Sequence, residues 1–310
     1  MNLTDKRILL TGGSGFVGAH VFKKLILGGF AKENIFIPKK SEYDLRDKNK
    51  AIIVTKKIDY VIHLAGNVGG IKHNQLYPGE MFYDNITIGV NLIEAARRNK
   101  VKKFLCIGTI CSYPKLSPIP FAEENLWLGY PDETNAPYAI AKLSLLVMLQ
   151  AYRKQYGFNG IYLLPVNMYG PGDNFDPKKS HVIAALIKKM VWAKENKLKS
   201  VEIWGNGTAT REFLYVEDAA LGIVKALKKY NKSDPINLGV GKEISIKKLA
   251  EKIKKAVGFK GQLIWNKEMP NGQPRRCLDV SKANKEFGFK AKTKLTKGLK
   301  KTVDWYIKNS

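Results

Sequence analysis

The chain has 310 residues, 45% of them hydrophobic, and carries 53 Lys and Arg against 27 Asp and Glu, a formal net charge of +26. That length allows one large domain or two smaller ones with a sizeable core, and no uncharged apolar run is long enough to suggest a membrane span. Three cysteines, Cys106, Cys111 and Cys277, are too few for a disulfide framework and lack metal-site spacing, which agrees with a reducing compartment. No leader precedes the first strand, so the chain is expected in the cytoplasm.

The first predicted strand is the apolar run Arg7 to Thr11, followed by Gly12, Gly15 and Gly18 and a helix from about Gly18 to Leu27. Further strands are expected at Asn34 to Pro38, Tyr60 to Ala65, Lys103 to Gly108 and Ile161 to Val166. Helical patterns lie between them, at Lys48 to Lys57, Ile86 to Arg98 and Tyr138 to Tyr156. Strands alternating with helices imply an α/β, Rossmann-type, doubly wound parallel sheet. After about residue 168 the pattern changes to loops rich in Gly, Asn, Asp and Pro, with shorter elements. The expected organisation is therefore a dinucleotide-binding domain over 1–167, receiving a segment from about 212–240, and a smaller α/β substrate domain over 168–310. In Ile244 to Val257 one helical stripe of apolar residues faces a lysine-covered side. A solvated helix face explains these lysines better than a nucleic-acid patch, since no aromatic-interleaved basic motif accompanies them.

Gly12 allows a tight turn after the first strand, Gly15 lets backbone approach a pyrophosphate, and Gly18 permits close helix packing. The helix N-terminus, with Phe16 and Val17, then offers free N–H groups and a positive dipole end. The next strand is followed by Lys39 and Lys40 rather than by an acid. Two ammonium groups suit a ribose 2′-phosphate, which favours NADP over NAD. Asp44 and Leu45 follow, placed to flank the adenine. Tyr138 and Lys142 stand four apart, on one face of a helix. A phenol beside an ammonium has its anion favoured, which suits carbonyl and alcohol chemistry.

Together Gly12 to Gly18, Asp44-Leu45-Arg46-Asp47, His63-Leu64-Ala65-Gly66 and Tyr138/Lys142 resemble the extended short-chain dehydrogenase/reductase family. Longer segments narrow the resemblance: Val68 to Ile71, Cys111 to Lys115, Asn135 to Lys142, Asn167 to Phe175, Ser180 to Ile183 and Arg211 to Leu214. They look like the branch that takes GDP-4-keto-6-deoxy-D-mannose, epimerises C3 and C5, and reduces C4 with NADPH to yield GDP-L-fucose.

The resemblance implies a role for each matched residue. Cys111 is the epimerisation base and His181 the acid, with His181 also at the cofactor. Tyr138 donates the proton in reduction, while Lys142 lowers its pKa and binds the nicotinamide ribose. Thr109 replaces the commoner Ser as the polarising hydroxyl, beside Ile110 and Ser112, which also depart from the usual pattern. Asn167, Lys189, Trp204 and Arg211 meet the GDP-sugar. The family pairs its helices into a four-helix bundle, so a homodimer through Ile86 to Arg98 and Ala139 to Tyr156 is expected. Neither nucleic acid, nor a membrane, nor a metal is an expected partner. A sister enzyme acting on another GDP-4-keto sugar, on a 6-deoxyheptose or colitose route, fits the same residues. A regulator that uses the fold without catalysis fits less well, because Tyr138 and Lys142 are both present.

Overall fold

Strands that are apolar along their whole length must be covered on both faces, and this builds the central sheet. In the computed structural model, which describes residues 5–177, 179–269 and 272–310 (the side chain of Ile71 apart), β1 (Ile8–Thr11) is fully buried and leads into α1 (Phe16–Leu27). Then come β2 (Ile35–Phe36), α2 (Lys48–Val54), β3 (Tyr60–His63), α3 (Ile71–Leu76), α4 (Pro78–Arg98), β4 (Lys103–Ile107), α5 (Ala136–Tyr156) and β5 (Gly160–Pro165). The rest of the chain forms β6 (Asn167–Tyr169), α6 (Val182–Glu195), β7 (Ser200–Trp204), β8 (Thr210–Tyr215), α7 (Val216–Lys229), β9 (Ile236–Leu238), β10 (Glu243–Ser245), α8 (Ile246–Val257), β11 (Gln262–Asn266), α9 (Ser281–Phe287) and α10 (Leu295–Asn309). Among the described residues no helix is long and apolar enough to cross a membrane.

The main sheet has the order β2-β1-β3-β4-β5-β9, every pair parallel. This is the doubly wound α/β fold expected from the alternation of strands and helices. The chain leaves β1 first toward β2 and later returns to its other side as β3. A crevice therefore opens between the carboxyl ends of β1 and β3, where ligands of such sheets bind. Helices α4 and α5 pack together at one face, close enough that a Cβ on Gly89 would lie 2.3 Å from Leu145. Helices α1 and α7 pack together as well.

Two smaller sheets complete the fold: β10-β8-β6, and the parallel pair β11-β7. A second core of Tyr169, Ile187, Met190, Phe213, Leu249 and Ile253 lies under them. The apolar stripe read from the sequence is the buried face of α8, but that helix starts at Ile246, not Ile244. Ile244 is drawn into β10, antiparallel to β8, and Ser245 caps the helix by accepting the Lys248 N–H at 3.2 Å. Helix α4 starts well before the expected Ile86, because Pro78 stands in its first turn, where a missing N–H costs nothing.

Candidate active site

The Gly-rich turn is shaped by contacts that no side chain could survive. Gly12 has φ 70°, and a Cβ there would lie 2.8 Å from the Ala65 nitrogen. A Cβ on Gly18 would lie 2.1 Å from the Gly12 oxygen, so α1 runs directly against the turn. Gly15 precedes α1 and no side chain caps it, which leaves the first-turn N–H groups of Phe16, Val17 and Gly18 for an anion. Thr11 ties the β1 and β3 ends together. Its hydroxyl shares a hydrogen bond with His63 Nδ1 at 2.9 Å and accepts one from the Ala65 N–H.

Past β2, Lys39 and Lys40 are exposed, with Lys39 Nζ 3.7 Å from Glu42. The Asp44 carboxylate is held by Arg46, whose hydrogen bond keeps its pKa below the ordinary value, and Arg46 also reaches Asp84 at 3.1 Å. Leu45 is buried. A second polar feature lies at Asn85, which the sequence reading passed over. Its amide donates to the Asn67 and Met81 carbonyls, while its buried Oδ1 has no partner among the described residues. A Cβ on the neighbouring Gly66 would be 2.5 Å from that oxygen and 3.4 Å from Lys142 Nζ.

Tyr138 and Lys142 lie on the inner face of α5, both buried. Their electrostatics differ from the expectation. Burial raises the phenol well above its usual pKa, the Cys111 sulfur adds to that, and a hydrogen bond with Thr109 opposes it. Lys142 is not among the groups that lower it. The ammonium instead bears on His63 and Cys106, and burial pulls its own pKa down. Desolvation outweighs a neighbouring charge when both groups sit in apolar surroundings.

Thr109 leads from β4 into a short 3₁₀ turn, Ile110–Ser112, and its Oγ1 accepts the Cys111 N–H at 3.2 Å. This places the Cys111 thiol beside the Tyr138 ring. Two guanidinium groups complete the cluster. Arg276 Nη1 donates to Cys111 Sγ at 3.3 Å. Half-buried Arg211, on β8, feels both Arg276 and Cys111; desolvation first, then Arg276, lowers its pKa to about 10. Cys106 and Cys277 are buried and inert, with desolvation pushing them to about 11 and about 12.

The other candidates make no hydrogen bond to this cluster among the described residues. His181 precedes α6 and is exposed at the surface, yet the protein around its ring pulls its pKa below the usual histidine value. The Val68–Gly70 loop fixes its approach, because the Gly70 N–H donates to the Lys179 carbonyl at 3.1 Å. Asn167 Nδ2 reaches the Glu212 carbonyl at 3.4 Å, and exposed Lys189 donates to the Glu202 carbonyl at 2.8 Å. Trp204 is half exposed at the end of β7. Arg276 had no signal in the sequence: no motif marks it, and it lies 165 positions from the thiol it touches.

Residues 8–239 match the NAD dependent epimerase/dehydratase family. The chain belongs to that family. Within it, the chain is 39% identical over 99% of its length, and 96% of the relative's, to GDP-L-fucose synthase 1 of Arabidopsis thaliana. Among solved structures, a GDP-6-OMe-4-keto-L-xylo-heptose reductase from C. jejuni superposes with a TM-score of 0.93 at 29% identity, covering 99% of both chains. A GDP-L-fucose synthetase from Naegleria fowleri bound to NADP superposes with a TM-score of 0.89 at 27% identity, over 99% of this chain and 95% of that one. The family match begins at β1 and ends just past β9, so it spans the whole main sheet.

Proposed function

We propose that this chain converts GDP-4-keto-6-deoxy-D-mannose to GDP-L-fucose, inverting C3 and C5 and then reducing C4 with NADPH. The observation that carries the reading is the cluster of Thr109, Cys111 and Tyr138 beside two guanidinium groups, buried Arg276 and half-buried Arg211. It stands in a chain that matches a GDP-L-fucose synthase along nearly its full length. NADPH, when bound, supplies the hydride. The Gly12–Gly18 turn fits its pyrophosphate, and the unpartnered Asn85 Oδ1 beside Lys142 fits a polar ligand at the nicotinamide end. Lys39 and Lys40 take the 2′-phosphate, with Asp44 and Leu45 beside the adenine. Residues 1–167, with the returning segment at about 212–240, form the cofactor domain, and 168–310 form the GDP-sugar domain.

The C4 ketone acidifies the hydrogens on C3 and C5. Cys111 takes a proton from one face and His181 returns one to the other. For reduction, Thr109 polarises the C4 oxygen and Tyr138 gives it a proton. Burial keeps the phenol protonated across the working pH range, so the group holds the proton it must donate. Lys142 binds the ribose hydroxyls. Arg211, Lys189, Trp204 and Asn167 hold the GDP-sugar. A cytoplasmic homodimer is the assembly we propose, because α4 exposes Phe82, Tyr83 and Val90 and α5 exposes Val147 and Tyr156.

The test is incubation with GDP-4-keto-6-deoxy-D-mannose and NADPH, with the product identified by NMR. GDP-L-fucose is the expected product. A second reading, a GDP-4-keto-heptose substrate, is favoured by the close superposition on the C. jejuni reductase. Turnover of such a heptose with none of the deoxymannose would establish it in place of the first.

A further inference from the structure

We propose that Arg276 is a positioning residue that holds Cys111 in its thiolate form for proton abstraction. The proposal rests on the epimerase reading above. Arg276 reaches the cluster from an extended segment after β11. Its Nη1 is 3.3 Å from Cys111 Sγ, and its Nε donates to Gln273 Oε1 at 2.5 Å. The Gln273 amide is itself anchored on the Lys115 carbonyl at 2.7 Å.

The segment has little slack. The Phe121 N–H donates to the Cys277 carbonyl at 2.8 Å and the Asp279 N–H to the Phe121 carbonyl at 2.9 Å. The Leu278 N–H donates to Glu212 Oε2 at 2.7 Å. The guanidinium is buried, so its charge needs an anion. Its hydrogen-bond partners among the described residues are a neutral amide and the Cys111 sulfur. Asp132 feels Arg276 and Arg211, but its own hydrogen bonds go to Thr134. Among the described residues, Tyr138 from α5, Arg211 from β8 and Arg276 face Cys111. Among them, Arg276 is the cation hydrogen-bonded to the sulfur.

In the step itself the thiolate forms an S–H bond as the sugar C–H bond breaks. The electron pair moves to the C4 oxygen as an enolate. His181 supplies the replacement proton on the opposite face, and before the second carbon reacts Cys111 releases its proton to water and His181 takes one up from water.

The experiment measures iodoacetamide alkylation of Cys111 in the full chain against pH by peptide mass spectrometry, with buried Cys106 and Cys277 as internal controls. Arg276→Gln should move the alkylation profile to higher pH and slow the reaction near neutrality roughly tenfold. Arg276→Lys should recover most of the loss. Exchange of the C3 and C5 hydrogens in deuterated water should fall with Arg276→Gln and recover at alkaline pH. An unchanged alkylation profile, with only KM for the GDP-sugar raised, would overturn the proposal. If Arg276→Gln does not fold, Gln273→Leu decides the matter: it frees the guanidinium without removing its charge and should shift the profile in the same direction, whereas no shift would overturn the proposal. Undiminished exchange in Cys111→Ser would also overturn the proposal, by removing Cys111 as the base, whereas no C3 or C5 exchange in the unsubstituted chain would sink the epimerase reading and leave the alkylation profile to decide the contact of Arg276 with the thiol.

Discussion

The cofactor cradle and the acid–base cluster are built by opposite means. The cradle is one contiguous stretch, Thr11 to Gly18, and it works through backbone: missing Cβ atoms, free N–H groups and a helix end. The cluster is gathered from β4, α5, β8 and the segment after β11, and it works through side chains whose charges are buried. A backbone site is insensitive to protonation and intolerant of bulk. A buried side-chain site is the reverse, since its chemistry follows the desolvation of each group. Substitutions that act on one region alone therefore separate binding from chemistry.

The largest expected effect is Tyr138→Phe. It removes a proton donor but leaves the ring in its buried place, so the fold and the cradle stay intact. Reduction at C4 should fall by about 10²–10⁴, read as NADPH oxidation. Exchange of the C3 and C5 hydrogens, which we assign to Cys111 and His181, should continue. Parallel loss of both activities would show that the cluster cannot be divided into an epimerising and a reducing half.

The same contrast explains what was legible in the sequence. The cradle was legible because its residues are neighbours in the chain and its glycines have few other uses. The apolar strands β1, β3, β4 and β5 were equally plain, because burial on both faces leaves no polar position. The spacing of Tyr138 and Lys142 correctly put them on one helix face. It carried no information about solvent, and burial reversed the direction expected for the phenol. The opening turns of α4 were missed because Tyr83 and Asp84 interrupt the apolar pattern. Arg276 and Glu212 were invisible because their partners are set by tertiary structure. The Glu212 carboxylate accepts N–H groups from Val240, Gly241 and Leu278, none of them near it in sequence.

An intermediate effect is expected at Asp173, in the loop after β6. The Pro171 carbonyl of that loop meets His20 Nε2 on α1 at 2.9 Å, and its Phe175 stacks on Tyr306 of α10 at 4.3 Å. Asp173 is buried, Oδ2 has no partner among the described residues, and desolvation lifts its pKa from 3.8 to about 7. The folded chain therefore keeps a proton that the unfolded chain sheds near pH 4. Its contribution is fully present below that pH and is lost as pH rises toward 7, by on the order of a few kcal/mol. Asp173→Asn should remove this slope, so the urea stability of the variant relative to wild type should improve between pH 4.5 and pH 7.5. A pH-independent difference would show that the loop carries no buried carboxyl.

The smallest expected effect tests the side chains proposed above for the 2′-phosphate. Lys39 and Lys40 are exposed, and one is already near Glu42. Exposed ion pairs are worth about 0.2–1 kcal/mol each, so Lys39→Ala with Lys40→Ala should raise KM for NADPH only about three- to tenfold. KM for NADH, which lacks the 2′-phosphate, should not move. An equal rise for both cofactors would mean the lysines act as general surface charge and do not read the phosphate. A further cation nearby, Arg46, is held by Asp44 and Asp84 and would have to give up one of them to replace the lysines. If Arg46→Leu in the double variant then abolished the residual preference for NADPH, the cradle would combine a rigid backbone for the pyrophosphate with a loosely held, salt-sensitive set of cations for the 2′-phosphate.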